Sequence, residues 1–170
     1  MKAKLAALGA VLVLTAAAMV GFIAWQLREH REGPAERPEI SAFTHGTVIH
    51  AAPYQYCDKN KLNQCDPLGH TVELVVNAHE PVQLSIDGRI AKAPWMLSRI
   101  YAPVGDVDHK RAESSVYRDH RTAVTIPTVD NEGRRLLGLE IKLPTVVQTE
   151  TGDLIEVTHA IWSVATVWKN

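Results

Sequence analysis

The chain has 170 residues, two cysteines and a formal net charge of −1 with its eight histidines neutral. An uncharged segment ends at Leu27, and the remaining 143 residues carry 16 Lys and Arg against 19 Asp and Glu, a net charge of −3. A nucleic-acid-binding domain is expected to show a basic excess. The composition therefore predicts no nucleic-acid partner.

Residues 5–27 form an uncharged, mostly apolar run of 23 residues. As a helix rising about 1.5 Å per residue the run would cover about 35 Å, which exceeds a bilayer core of about 30 Å. Trp25, shortly before Arg28, stands where aromatic residues meet the membrane interface. The sequence predicts a single transmembrane helix, or signal anchor, at residues 5–27, with the membrane as a partner.

The start of this segment also has the form of an export signal. Lys2 and Lys4 precede the apolar run, and residues 16–18 are all alanine, the small residues that a signal peptidase reads. Cleavage after Ala18 is therefore an open alternative to an uncleaved anchor. Against cleavage, the apolar run continues as far as Trp25 and would leave an apolar stub on the mature chain.

Residues 28–39 read REHREGPAERPE, with charges of alternating sign and no apolar residue larger than alanine. Such a segment cannot bury enough apolar surface to fold by itself. We expect a solvated linker at 28–39. Residues 40–170 have the composition of a globular domain and the length for one hydrophobic core.

Cys57 and Cys65 are the two cysteines of the chain. In an exported chain, an even number of cysteines at short spacing indicates a disulfide, here closing the polar loop Asp58–Gln64. The C-x7-C spacing is not that of a redox or zinc motif. Basic residues flank the apolar run almost equally, so the orientation rests mainly on this disulfide. It places the domain on the extracytoplasmic side of the cell membrane.

Alternating apolar and polar residues predict strands through the domain. Leu137 to Leu143 is the cleanest example, and Trp95, Leu97 and Tyr101 share one face of a strand that follows Pro94. The other predicted strands are Thr44–His50, Val72–Val76, Val82–Ile86, a strand at Val124 and Ile126, and Ile155–Trp168. No helical periodicity follows residue 27.

This pattern predicts an all-β fold, an antiparallel immunoglobulin-like sandwich of about seven strands, with Trp95 as a core tryptophan. Trp162 and Trp168 share a face of the last strand, and core packing is preferred over an aromatic ligand site. Apolar residues on both faces of that strand indicate either a central position in a sheet or a contact with a partner.

No sequence motif points to catalysis: nucleophile-elbow, phosphate-loop, S-x-x-K and H-E-x-x-H patterns are missing from the chain. The eight histidines form no H-x-H or H-x3-H pair, and we interpret them as surface and loop residues. Asp106–Asp108 and Asp130–Gly133 match plain turns better than calcium loops. We predict no catalytic, cofactor-binding or metal-ligating residue, and whether the protein is an enzyme stays open.

Residues 102–121 form the one connection longer than a compact domain needs. Loops of this length tend to be functional or disordered, although an edge strand around Ser115–Tyr117 is a further alternative. If the domain binds a partner protein, this loop is the first candidate surface.

Several stretches resemble a family of short actinobacterial cell-envelope proteins known only as a domain of unknown function. The resemblance lies in the N-terminal apolar segment and in PEISAFTHG, PYQYC…NQCDP, HEPVQLSI, APWMLSRIYA, RTAVTIPTVD and HAIWSVATVW. It implies an envelope location, but it implies no activity and assigns no functional residue. Some members of the family carry a lipid-attachment cysteine near the signal, whereas this chain has none there.

These observations favour a membrane-anchored, non-catalytic envelope domain that binds or scaffolds another envelope protein. A small-ligand or metal carrier that uses the histidines is the first alternative. An envelope hydrolase is the second, and it would require His, Asp and Ser side chains to converge in one cleft.

Overall fold

The computed structural model of the chain describes residues 16, 18–22, 25, 37–59, 61–149 and 151–169. The chain divides into two compact units, residues 1–36 and residues 37–170. In the first unit, the described residues are helical and exposed. The predicted membrane segment 5–27 falls mostly outside the described residues. Among those that are described, no helix has the length and apolar character needed to cross a membrane.

The second unit is all-β, with eleven strands and one helix of four residues, Gly88–Ala91, among its described residues. The strands are β1 Ile40–Thr44, β2 Thr47–Ala51, β3 Gln55–Asp58, β4 Lys61–Cys65, β5 Val72–Val76, β6 Val82–Ile86, β7 Trp95–Ala102, β8 Arg111–Tyr117, β9 Ala123–Ile126, β10 Arg135–Gln148 and β11 Leu154–Trp168.

The strands form two sheets. The small sheet has the order β2-β1-β6-β9, and the large sheet has the order β4-β3-β11-β10-β7-β8 with β5 also paired to β11. Neighbouring strands are antiparallel except for β5 and β11, which are parallel. The last strand of the chain is therefore central in the large sheet, which is the first of the two alternatives that the apolar residues on both of its faces indicated.

The core lies between the two sheets, which makes the domain a β-sandwich. In β6 of the small sheet, Val82, Leu84 and Ile86 are buried while the residues between them are exposed. This is the alternation of a strand with one face toward the core. The large sheet contributes the largest buried side chains, including Trp95, Tyr101, Leu139, Ile141 and Trp162.

Buried aromatic residues also tie separate segments together through hydrogen bonds. The Trp95 indole stacks on the Tyr117 ring at 4.4 Å between centroids and donates from Nε1 to the Arg121 carbonyl at 3.2 Å. The Tyr101 hydroxyl donates to the Pro127 carbonyl at 2.9 Å, and burial raises its pKa. The indole N–H and the phenol O–H thereby have hydrogen-bond partners while the two rings fill the core. The predicted core role of Trp95 is confirmed.

Three details differ from the sequence-based expectation. First, the structure has eleven strands instead of about seven, because polar segments also form hairpins. One such segment lies within Thr44–His50, predicted as one strand, where β1 turns into β2 at His45 and Gly46. The φ angles of these two residues are 49° and 71°. Two successive positive φ values are typical of a two-residue type I′ hairpin turn.

Second, Leu137 does not face the core. The pairing of β10 with β7 shifts between Leu136 and Gly138, so Leu136 is buried and Leu137 is only half-buried. A β-bulge places one extra residue in a strand and thereby exchanges the faces of the residues before it.

Third, residues 37–39, predicted as the end of the linker, belong to the folded unit. Pro38 is buried, and its carbonyl accepts a 2.8 Å hydrogen bond from Nε1 of Trp162. The remainder of the predicted linker, residues 28–36, lies outside the described residues.

Residues 102–121, predicted as a long loop, contain β8 at the edge of the large sheet. The strand runs from Arg111 to Tyr117, which is longer than the alternative edge strand at Ser115–Tyr117. The five residues 118–122 connect β8 to β9 and include His120, whose Nδ1 lies 2.9 Å from the Ala91 carbonyl.

Candidate ligand-binding cleft

A cleft of about 720 Å³ opens between the β3–β4 hairpin and the short helix Gly88–Ala91. Its lining comes from five separate stretches of sequence: the start of the folded unit, the hairpin, the helix with the residues after it, β10 and β11. The residues are Arg37, Tyr56, Cys57, Asp58, Lys59, Gln64, Cys65, Asp66, Arg89, Lys92, Ala93, Leu143 and His159.

One wall of the cleft is held by the disulfide between Cys57 and Cys65, so the predicted bond is confirmed. The two residues are register partners on β3 and β4, with Cα atoms 3.9 Å apart. The segment predicted as the polar loop Asp58–Gln64 is thus largely part of a strand pair. A cross-link between these short, polar strands stabilises a hairpin that has little apolar surface to bury.

The floor of the cleft contains His159, which is 7% exposed, beside Leu143. Pairing of β10 with β11 runs from Leu143↔Ala160 to Pro144↔Thr158, so His159 is the extra residue of a bulge. Bulges re-aim side chains, which explains how a histidine interpreted as a surface residue comes to be buried. For His159 that interpretation was wrong.

The buried position of His159 favours the neutral form of its imidazole. Burial lowers its pKa below the ordinary 6.5, and the charge of Lys59 acts in the same direction. Its Nδ1 donates to the Cys57 carbonyl at 3.4 Å. This bond keeps the proton on Nδ1 and leaves Nε2 as the acceptor nitrogen. The Tyr56 ring packs against the imidazole edge-on, at 6.0 Å between centroids.

A second side of the cleft is built around Arg37. The guanidinium bonds to both Asp66 carboxylate oxygens, at 2.9 and 3.2 Å, and lies 4.3 Å from the centroid of the Tyr56 ring. The hydrogen bond to Asp66 raises the pKa of Arg37. Both partners are more than two-fifths exposed, so the pair adds little stability and mainly fixes the position of the cation.

The third side is formed by the short helix. Asp87 caps the helix through a 2.7 Å hydrogen bond from the Arg89 backbone N–H, and its carboxylate also accepts from the Arg89 guanidinium at 2.7 Å. These bonds to Arg89 lower the pKa of Asp87, and the charge of Lys92 adds to the effect. Arg89 and Lys92 both line this side of the cleft.

The lining is basic. It carries four permanent cations (Arg37, Lys59, Arg89 and Lys92) and two carboxylates (Asp58 and Asp66), a formal charge of +2 with His159 neutral. The domain as a whole is acidic. A cleft with low-dielectric walls concentrates the field of such charges and attracts ligands of the opposite sign.

The histidines do not converge. In the part of the chain that the structure describes, no three His, Cys, Asp or Glu side chains are placed to hold a metal ion. His45 lies 3.1 Å from Glu80, His50 lies 3.0 Å from the Ser41 hydroxyl, and His109 lies 2.7 Å from Asp106. These pairs are in different parts of the fold from the cleft.

The side chains that line the cleft are mostly charged or polar. The described lining has a phenol at Tyr56 and no Ser or Thr hydroxyl, and both cysteine sulfurs are joined to each other. Trp162, considered as a ligand-binding aromatic, is fully buried beneath Tyr56, with the two rings 6.4 Å apart. Strand β8, from the loop proposed as a partner surface, lies outside the cleft lining.

Sequence reasoning identified the disulfide and missed the cleft around it. The lining residues are distributed from Arg37 to His159, and no two of the five stretches are adjacent in sequence. The polar run between the cysteines was the one local pattern in the sequence that pointed to the cleft, and the same pattern is equally typical of a plain loop.

Comparison with known proteins places the chain in a family. Relatives in Mycobacterium bovis and in Mycobacterium tuberculosis, each described as an uncharacterized protein, are 40% identical to it over 170 residues, covering 99% of this chain and all of theirs. No solved structure matches it. The profile of a family described as "Protein of unknown function (DUF2771)" matches residues 33–167, which include the whole cleft. The chain therefore belongs to the DUF2771 family.

Proposed function

We propose that this protein is a non-catalytic binding domain, held at the extracytoplasmic face of a membrane, whose cleft binds a small anionic group. The observation that carries the proposal is the basic cleft beside the disulfide, whose lining has a formal charge of +2 although residues 37–170, with 14 Lys and Arg against 16 Asp and Glu, have a net charge of −2. The anionic group is a phosphate or a carboxylate, because Arg and Lys side chains recognise both.

The two arginines of the cleft are held in place by neighbouring side chains. Asp66 and the Tyr56 ring hold Arg37, and Asp87 holds Arg89. Side chains already fixed by neighbours lose less conformational entropy when a ligand arrives. Lys59 and Lys92 are both exposed and supply two further ammonium groups to the cleft.

The floor indicates what the rest of the ligand resembles. Leu143 is 8% exposed, His159 is neutral, and the Tyr56 ring stands beside them. A neutral imidazole and an aliphatic side chain favour an uncharged, partly apolar portion of the ligand. The ligand then has an anionic end at the rim and a less polar end on the floor.

The membrane location rests on the sequence. The apolar residues 5–27 supply an anchor of spanning length, and the charged residues from 28 onward supply a linker. The disulfide supports an oxidising, extracytoplasmic compartment. Protease treatment of spheroplasts is the direct measurement: digestion of the domain from outside is expected, and full protection would contradict the location. Sequencing the mature N-terminus decides between an intact anchor and cleavage after Ala18.

We further infer that the sandwich is immunoglobulin-like. Its support is the pairing of β6 with β9 in one sheet and of β7, β10 and β11 in the other, which matches the B–E and C–F–G pairs of that fold. Buried Trp95 on β7 matches the tryptophan of strand C. The β1–β2 and β3–β4 hairpins precede this common part.

The binding proposal is tested with the full-length chain in neutral detergent micelles. Calorimetric titration uses inorganic phosphate, succinate and dihexanoyl phosphatidylglycerol, with dihexanoyl phosphatidylcholine as the zwitterionic control. We expect binding of at least one anion and weaker binding at high salt. The phosphate and lipid titrations separate a free anion from a lipid headgroup.

A matched pair of variants locates the binding. Lys59→Ala with Lys92→Ala should raise the Kd about tenfold, a change of about 1.4 kcal/mol in binding free energy. Lys61→Ala with Lys110→Ala removes the same charge outside the cleft lining and should leave the Kd close to that of the unmodified chain. Absence of binding for every anion, or equal loss in both double variants, would contradict the proposal.

A further inference from the structure

Strands β10 and β11 continue past the sandwich as a two-stranded ribbon, residues 144–148 paired with residues 154–158. The pairing of β10 with β7 ends at Lys142↔Met96, and that of β11 with β3 ends at Ala160↔Tyr56. Among the described residues, no third strand pairs with the ribbon. Such a ribbon is at most marginally stable alone in water unless something covers one of its faces.

The outward face of the ribbon carries two exposed apolar side chains, Val146 and Leu154, beside the polar Gln148 and Glu156. Val146 is 60% exposed and Leu154 is 72% exposed. Leu154 pairs with Gln148, which is two residues from Val146 on the same strand, so the side chains of Val146 and Leu154 lie on the same face of the ribbon. Val116 on β8, 47% exposed, continues this surface beside Met96. Exposed apolar residues in one contiguous patch mark an interaction surface more often than scattered ones do.

A groove of about 320 Å³ runs along this surface. One wall comes from β7 and β8 with the residues next to them, and the other wall comes from the ribbon. The first wall is Pro94, Met96, Val116 and Arg118, and the second is Pro144, Thr145, Val146 and Glu156.

Each wall carries one charge, and the two charges are opposite. Arg118 lies on the first wall and Glu156 on the second, and neither makes an ion pair with another residue of the described chain. Elsewhere on the domain, arginines such as Arg111 and Arg121 each have a carboxylate partner.

We propose that this face is the interface between two copies of the chain. In a two-fold dimer both copies use the same patch. If one residue of the first copy contacts a second residue of the other copy, the reverse contact also occurs. When the two-fold axis runs along the groove, rotation about it brings the first wall of one copy against the second wall of the other. Arg118 then faces Glu156 of the second copy, twice, around the apolar centre formed by Val116 and Val146. A partner of a single charge sign would leave one of these two groups unpaired.

Charge reversal tests this arrangement in the full-length chain in detergent micelles, by sedimentation equilibrium. The unmodified chain should dimerise, and Arg118→Glu or Glu156→Arg alone should raise the dimer dissociation constant at least about tenfold, because like charges then face each other. The double variant, with both reversals, restores opposite pairing and should recover most of the affinity.

Two matched controls carry the same charge changes away from the groove. Lys110→Glu and Glu73→Arg should leave the dissociation constant unchanged, and circular dichroism of each variant reports its folding. A monomeric unmodified chain would overturn the proposal. So would single reversals that match their controls, or a double variant that fails to recover while remaining folded. A monomer that instead binds vesicles or another protein through this face would also exclude the second copy.

Discussion

The Trp162 indole donates a 2.8 Å hydrogen bond to the carbonyl of Pro38, across 124 positions of sequence. Trp162 is fully buried at the centre of the large sheet, and Pro38 is buried where the folded unit begins. The bond satisfies two polar groups that would otherwise lie unpaired in the core, and it draws Arg37 to the edge of the cleft.

Trp162→Phe should lower the free energy of unfolding by about 1–3 kcal/mol. Without the indole, the Pro38 carbonyl has no hydrogen-bond donor, and the smaller phenyl ring leaves a cavity in the core. Urea unfolding of residues 37–170, followed by circular dichroism, measures this change. An unchanged midpoint would show that the bond to Pro38 does not contribute.

Replacing Cys57 and Cys65 together by serine should lower the free energy of unfolding by about 2–3 kcal/mol. The disulfide closes a short loop, with the cysteines eight positions apart, and removing it restores conformational freedom to the unfolded chain. The same urea measurement applies. Thiol labelling of protein taken directly from cells is the check on the bond itself, and two free thiols would contradict it.

Stability should fall below about pH 6.5 because of His159. Its pKa is lowered in the folded state, so the unfolded chain binds the proton more tightly. The contribution is complete above the unfolded pKa of about 6.5 and is lost as the pH falls through the lower, folded value. His159→Gln should flatten this part of the stability curve. An NMR titration that places the His159 pKa above 6.5 would contradict the expectation.

Gly138→Ala should destabilise the domain by about 1–3 kcal/mol, the range for overpacking. A Cβ at this position would lie 2.8 Å from the Val164 carbonyl oxygen on the neighbouring strand, and that atom cannot move without breaking the pairing of β10 with β11. Gly88→Ala is the matched control, because nothing lies within 4 Å of its added Cβ. Alanine there should be neutral or slightly stabilising, since Gly88 begins a helix. Equal changes in stability for the two variants would contradict this expectation, because they would show that the added Cβ at position 138 does not clash with the Val164 carbonyl oxygen.

The parts of the fold that sequence could predict are those with regular alternation. Val82–Ile86 and Val72–Val76 are strands with the predicted bounds, and the last strand starts one residue before its prediction. In these segments the side chains themselves report which face is buried. The hairpin β3–β4 carries mostly polar residues and has no such pattern, so only its disulfide was predictable.

Two bulges account for the errors at Leu137 and His159. The shift at Leu136 and Gly138 exchanges the faces of neighbouring residues, and the bulge at His159 turns a histidine into the floor of the cleft. A bulge depends on the register between two strands, which a single segment does not encode. The cleft depends on the same register and on five stretches brought together, so its chemistry emerges only from the assembled sheets.

The central position of β11 determines when the strands of the large sheet can pair during synthesis of the chain. Strands β3, β5 and β10 all pair with β11, which is the last strand of the chain. During synthesis, β3 and β5 emerge long before the strand that joins them. Among the described strands, β3 has only β4 to pair with and β5 has no strand partner until residues 154–168 have appeared. The large sheet therefore closes only after β11 has been made, and a chain cut before β11 loses the strand that joins both halves of the sheet.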